Sequence, residues 1–346
     1  SAHGERSYDI FSRLLNDRIN LTMDYFIRVS DGLLFKRTKD ISTGRAYDWY
    51  NVGKLRNSGF EFDLNVKLIQ KKDWYWDMSV NGYTYANKML NLPDEYKVSG
   101  MPNGNQRIYE GKDIYRWEMR QFAGLDEKGN SLWYMDRDLT DGEGNVVGVE
   151  KVTTGDATEA TQYLLEKSAL PDFTGGLNTT LRWKSLDLTI MTNFQFGGYG
   201  YDYDFSAFSS ANFPMNRLKN YADAWNPETG KGSAPIWNTN DSNINASSDR
   251  FLISKTYFNL RNITLGYTFP ANWMSKIGIK SVRVYFACDN VFFASKRKGY
   301  DPRTSMGGQG ATVALNSVDG TYYSPIRTTS VGLNTVSYTH LTLPTT

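Results

Sequence analysis

Residues 51 to 68 read NVGKLRNSGFEFDLNVKL, and the second half of that stretch alternates strictly between apolar and polar side chains. Phe60, Phe62, Leu64, Val66 and Leu68 fall on one side of an extended chain, and Glu61, Asp63, Asn65 and Lys67 fall on the other. Successive strand residues point to opposite faces, so a period of two specifies a strand with one apolar and one polar face. The pattern recurs on either side. Ile19, Leu21, Met23, Tyr25, Ile27 and Val29 oppose Arg18, Asn20, Thr22, Asp24 and Arg28, with Phe26 the one exception. Trp74, Trp76, Met78 and Val80 oppose Asp77, Ser79 and Asn81. Further strands are expected over 175–184, 186–196, 257–268, 281–292 and 328–336.

These segments run to about nine to twelve residues, the length of a tilted membrane-crossing strand rather than the roughly five or six of an average soluble one. The links between them alternate in length. Short ones fall near 15–18, 70–73, 184–185 and 270–280, and long ones near 30–58, 86–113, 197–256 and 293–327. Outer-membrane barrels show this asymmetry, with short periplasmic turns and long extracellular loops. The stretch 114–174 does not fit the parity. There YRWEMRQFAGL (115–125) reads as a strand, DEKGN (126–130) as a turn and SLWYMD (131–136) as its return. The total comes to about ten or eleven strands, with no fixed-period repeat of propeller or solenoid type.

Composition agrees with a barrel and excludes little else. The 23 Tyr, 18 Phe and 9 Trp suit strands and interfacial aromatic girdles. Mean hydropathy is −0.52 and no run of 18 apolar residues exists, but alternating barrel strands average out as moderately polar. With 39 Lys+Arg against 37 Asp+Glu, no basic stripe points to nucleic acid. Cys288 is the only cysteine and reads as a small strand residue. The chain opens at Ser1 directly before strand-like sequence, as a fragment or mature form would. VSYTHLTLPTT (336–346) is uncharged, Thr-rich and unlike the rest, and is read as a non-native tail.

In NVGKLRNSGFEFDLNVKL, Asn51, Gly53, Asn57, Gly59 and Glu61 make up an N-x-G-x-x-x-N-x-G-x-E pattern that resembles the SusC/RagA-type TonB-dependent outer-membrane transporters. Further stretches follow in that family's order: DYFIRVSDGLLF (24–35), LPDFTGGLNTTLRWKSLDLTI (170–190), TYFNLRNITLGYTFP (256–270), VRVYFACDNVFF (282–293) and GYDPR, with Gly299, Tyr300, Asp301 and Pro302. Together they reach nearly to Thr335. The resemblance implies an all-β fold, an antiparallel transmembrane β-barrel of which 1–335 is the C-terminal part, in a large plugged barrel of the 22-stranded type. It also implies energy from the TonB complex, reached through a missing N-terminal region, and a SusD-like lipoprotein seated over the long loops. The chain departs from the family after SPIRTTSVGLN (324–334), where a last strand would finish.

Candidate sites are few. Glu61 on the polar face would touch solute, or it is an ordinary lumen residue, with Gly53, Asn57 and Gly59 serving the turn into a strand. Arg283, Asp289 and Asn290 read the same way. The loop aromatics Trp117, Trp133, Tyr134, Tyr199, Tyr201, Trp225 and Trp237 would stack on sugar rings, contact a lipoprotein lid, or simply pack the loops together. Asp136, Asp138 and Asp141 miss the spacing of a calcium loop. YDYDF (201–205) and GEGN (142–145) read as loop chemistry, and no metal or other cofactor is expected. His3 and His340, the only histidines, lie at the two ends, so histidine-based catalysis is not expected. A hydrolase would have to use two carboxylates, and no pair stands out.

The sequence is therefore expected to encode a conducting barrel wall and not an enzyme. Its partners would be outer-membrane lipid, an oligosaccharide or peptide solute, the lipoprotein and TonB, in the outer membrane of a Gram-negative bacterium. The rival is a soluble β-sandwich that binds carbohydrate. In a barrel, Leu64 and Met23 face lipid, whereas in a sandwich they are sealed against a second sheet about 10 Å away.

Overall fold

The computed structural model describes residues 3–38, 41–44, 47–209, 223–238, 242–296 and 326–337. The chain opens with β1 (His3–Leu14), β2 (Ile19–Thr38), β3 (Tyr47–Gln70) and β4 (Trp74–Asn91). Seven shorter strands follow: β5 (Met101–Asn103), β6 (Gln106–Ile108), β7 (Arg116–Arg120), β8 (Phe122–Leu125), β9 (Ser131–Thr140), β10 (Val146–Thr154) and β11 (Gln162–Ser168). Then come β12 (Phe173–Trp183), β13 (Leu186–Phe196), β14 (Tyr199–Tyr201), α1 (Tyr203–Phe208) and β15 (Leu252–Ser254). The chain continues through β16 (Tyr257–Thr268), α2 (Ala271–Met274), β17 (Ile279–Ser295) and β18 (Thr328–Ser337).

Nine of these strands form one antiparallel sheet in the order β1-β2-β3-β4-β12-β13-β16-β17-β18. The expected ten or eleven reduce to nine because 114–174 contributes strands to smaller sheets instead. The registers turn the sequence alternation into two continuous surfaces. Leu64 stands between Leu21 and Val80, Val80 opposes Leu177, and Leu177 opposes Thr192. One residue along, Asp63 stands between Thr22 and Asn81, Asn81 opposes Gly176, Gly176 opposes Asn193, and Asn193 opposes Asn259. The first row is apolar apart from Thr192, whose hydroxyl is bonded to the backbone of Leu177. The second is polar.

Among the described residues, no second sheet packs extensively on the apolar face. Leu265 and Phe286 oppose each other there and keep 47% and 46% of their surface exposed. A continuous apolar face of this extent belongs against lipid, not water, and it lacks the dry inter-sheet core of a sandwich. No helix among the described residues is long and apolar enough to cross a membrane; the strands do so.

Aromatic belts mark the apolar band. Phe173 stacks between Phe62 and Phe194, with ring centroids 6.3 and 6.0 Å away. At the other end of β12, Trp183 lies 5.6 Å from Trp74. Ten residues separate Phe173 from Trp183, about 33 Å along the strand, and a tilt near 40° brings this to roughly 25 Å, the height of a barrel's lipid band. β2, β3 and β4, with 20, 24 and 18 residues, run well beyond that band. The long loop expected at 30–58 is therefore mostly paired strand: the β2–β3 ladder continues to Thr38 opposite Tyr47. Val336 and Ser337, the first two residues of the stretch expected to be a tail, belong to a strand and pair with Ser281 and Ile279, and 338–346 lie outside the described residues.

Candidate functional site

Two parts of the molecule are candidates for a site: the polar side of the sheet, and a cap built by the shorter strands at one end of the wall. A cavity of about 430 Å³ lies on the polar side, lined by Glu61, Asn81, Tyr83, Gly176, Asn178, Asn193 and Arg261 among others. Gly176 keeps its floor open, since a side chain there would come within about 3.0 Å of the Asn81 amide oxygen. On its far side the Asn259 amide donates to Asn193 at 2.9 Å.

Arg261 owes its position to a disturbed ladder. Between Leu260 and Asn262 the register slips against both neighbours, β13 and β17. On β17 two residues, Asn290 and Val291, then face Arg261 alone, and Asn290 takes a left-handed φ of 51°. Asn accepts that conformation more readily than most residues, and bulges re-aim side chains in this way. Further along the same surface Arg283 holds Asp187 by two bonds, Nε to Oδ1 at 3.0 Å and Nη2 to Oδ2 at 2.6 Å. This bridge lies over Gly266, where a Cβ would collide with both side chains.

Asn51, Gly53, Asn57 and Gly59 do not form a turn into a strand; they lie inside β3. Gly59 opposes Phe26, whose ring would lie about 2.6 Å from a Cβ at that position. The one exception to the β2 alternation is therefore seated on a glycine. Asn57 is a hub: its side-chain oxygen accepts from Tyr85 at 2.8 Å and from Asn87 at 2.6 Å, and the Asn87 oxygen accepts the Ile114 N–H at 3.1 Å. These bonds tie the wall to the start of the cap. Glu61 is exposed on the polar face beside Asp24. Gly299, Tyr300, Asp301 and Pro302 lie outside the described residues.

The cap has the cores that the wall lacks. Trp117, Met119, Leu165, Tyr201, Phe251 and Leu252 pack together, and Trp133 packs with Ala157 and Ala160. Trp117 and Trp133 are 0% exposed, which places them in packing and out of reach of solute. Trp117 also donates to the Tyr199 carbonyl at 3.1 Å. Trp225 covers Gly129 and Gly232. Tyr134 and Tyr199 are half-buried beneath Lys151 and Lys167, and Trp237 keeps 47% of its surface exposed. Asp136 accepts the Tyr163 hydroxyl, and Asp141 caps its own turn through the N–H groups of Asn145 and Glu143, which hold its carboxyl below the usual range. At the junction with the wall, Lys255 is buried with its Nζ 3.0 Å from the Ala169 carbonyl, and burial pushes its ammonium below the usual lysine value.

The family model described as TonB dependent receptor-like, beta-barrel matches residues 6–291. The chain belongs to this family. It is 25% identical over 342 residues to TonB-dependent receptor P3 of Formosa agariphila, a match covering 93% of this chain and 32% of that protein. Against TonB-dependent receptor SusC of Bacteroides thetaiotaomicron the identity is 27% over 301 residues, covering 85% and 28%. The solved RagAB peptide transporter has the same fold, with a TM-score of 0.75 at 23% identity over 97% of this chain and 35% of that one. The chain thus spans about a third of the length of these relatives. As part of a TonB-dependent receptor barrel, the sheet is a wall segment whose polar face lines the lumen.

Arg261, Asn193 and Asn259 were not singled out by sequence, although β16 carries a signal for the first. Its apolar residues switch from even positions, Phe258 and Leu260, to odd ones, Ile263, Leu265 and Tyr267. That phase change is the bulge.

Proposed function

We propose that this chain is a wall segment of an outer-membrane, TonB-dependent importer of oligomeric nutrients, glycan fragments or peptides, which works with a SusD-like surface lipoprotein. The observation that carries the reading is the two-faced sheet: an apolar face between two aromatic belts, and a polar face with a cavity beside Glu61 and Arg261. Side-chain amides, hydroxyls and single charges can hold a polar solute without trapping it, as a conducting wall requires. The cap, in this reading extracellular, would meet the lipoprotein through exposed groups such as Trp237, its buried tryptophans keeping the surface rigid. The likeness in fold to the RagAB peptide transporter favours peptides as one candidate class, while glycan fragments rest on the resemblance of the sequence motifs to the SusC/RagA family.

The test uses the whole transporter in the bacterium that encodes it. Deleting its gene should abolish energy-dependent uptake of one class, fluorescent glycan fragments or peptides, and the parent gene should restore it. Arg261→Ala should restore assembly but lower uptake several-fold. Unchanged uptake of both classes in the deletion strain would sink the reading.

A further inference from the structure

The rim opposite the cap joins two tight turns, 71–73 and 184–185. The Lys71 N–H closes its own turn on the Trp74 carbonyl at 2.8 Å, and the Lys184 N–H reaches across to the Asp73 carbonyl, also at 2.8 Å. These bonds hold the two turns side by side, and the turns carry Lys71, Lys72 and Lys184 with a single acid, Asp73. Among the described residues none of the three ammonium groups is paired with a carboxylate.

Trp74 and Trp183 lie directly beneath, opposite each other on the apolar face, each more than two-fifths exposed. The Lys184 Nζ sits 5.7 Å from the Trp183 ring. Lys184 thus stands at the very rim of the wall, next to Trp183 of the apolar face and also at the edge of a cavity of about 330 Å³ that Arg182, Asp187 and Arg283 line on the polar face. Tryptophans at this depth mark the level of lipid headgroups, and long lysines extend their charge to the same level.

We propose that Lys71, Lys72 and Lys184, over the Trp74–Trp183 pair, form a site for the phosphate headgroup of an anionic phospholipid in the adjacent, periplasmic leaflet. The charge complementarity is three unpaired cations against one carboxylate. The paired indoles, tilted 30° to each other, offer an apolar seat for the glycerol and upper acyl chains. The inference rests on the reading that this wall stands in an outer-membrane bilayer with its short turns toward the periplasm.

The test takes the full-length transporter into nanodiscs of phosphatidylglycerol or of phosphatidylcholine and measures amine acetylation of individual lysines by mass spectrometry. Lys71, Lys72 and Lys184 should be modified several-fold more slowly in phosphatidylglycerol, while Lys112, Lys128 and Lys231 of the cap should react equally in both. Equal rates at the three rim lysines overturn the proposal. In detergent, native mass spectrometry should show phosphatidylglycerol retention falling roughly tenfold or more in K71Q/K72Q/K184Q. It should persist in the charge-matched K112Q/K128Q/K231Q. An equal loss in both variants, or full displacement by inorganic phosphate at matched concentration, would assign the effect to net charge or to a free-phosphate site and overturn it. A transporter that enters neither nanodisc overturns the bilayer reading together with this one, whereas insertion with equal rates overturns this one alone.

Discussion

In the wall, Leu265 and Phe286 face each other across two strands and stay nearly half exposed, whereas Trp117 and Phe251 in the cap lose all their exposed surface. Both regions are antiparallel β-structure from one chain, with similar apolar residues. They differ in what covers the apolar side. A wall strand satisfies its backbone within the sheet and leaves lipid to cover its apolar face. A cap strand of three to ten residues must close a core against its neighbours. Hence an exposed aromatic in the wall is in its proper solvent, and a buried one in the cap is structural.

If that difference is real, the largest energetic effects of truncation lie in the cap. Trp117→Ala would empty the centre of its main cluster and remove the bond to the Tyr199 carbonyl. Replacing a buried Trp in this way should cost about 3–5 kcal/mol. Hydrogen exchange on the whole transporter should then show protection lost across β7, β11, β14 and β15. Protection in β12, β13 and β16 should hold. Loss spread evenly through the wall strands would mean that cap and wall form one cooperative unit.

The same contrast explains what could be read from sequence. Strand alternation was legible from Phe60 to Leu68 because each side chain has only two faces to choose from, and a one-residue error would invert all of them. Strand extent was less legible. Residues 30–58 look loop-like because Asn51, Gly53, Asn57 and Gly59 are turn-prone types, yet here Gly59 makes room for Phe26 and Asn57 binds Tyr85 and Asn87. The cap aromatics were the least legible. Nothing local distinguishes buried Trp133 from exposed Trp237, since each depends on segments distant in sequence. Of the cavity residues only Glu61 stood out; the others escaped notice because three of them are ordinary asparagines, and only register sets Asn81, Asn178 and Asn193 near one another.

A second test sharpens the contrast between the two faces of the wall. Leu64 lies close to the middle of the apolar band, four residues along β3 from Phe60 and in register with Val80 and Leu21. Leu64→Arg should cost roughly 2–4 kcal/mol in barrel stability, the penalty for a cation near the bilayer midplane. Asp63→Arg, one residue away on the lumen face, should change stability by less than about 1 kcal/mol. Denaturant titration of the folded transporter in lipid vesicles measures both. Equal penalties would mean that the two faces share one environment, and the barrel assignment would fall with them.

The smallest expected effect is local to the cap and concerns a proton. Tyr163 on β11 donates its hydroxyl to Asp136 Oδ1 at 2.6 Å, and Lys151 lies 4.3 Å from its ring. Burial first, and then the hydrogen bond to Asp136, push its pKa up to about 12 from an ordinary 10.0. The protonated phenol is the form favoured by folding. Its contribution is therefore fully present below pH 10, the unfolded value, and is lost as pH rises through about 12. Wall tyrosines that face lipid on the outer side make no such bond to a cap carboxylate, so this titration reports on the cap alone. Absorbance at the tyrosinate band, recorded for the parent and for Tyr163→Phe, should differ by one component with its midpoint near pH 12. A missing component centred near pH 10 would show that the β9–β11 contact is open in solution and that the cap is looser than its buried tryptophans indicate.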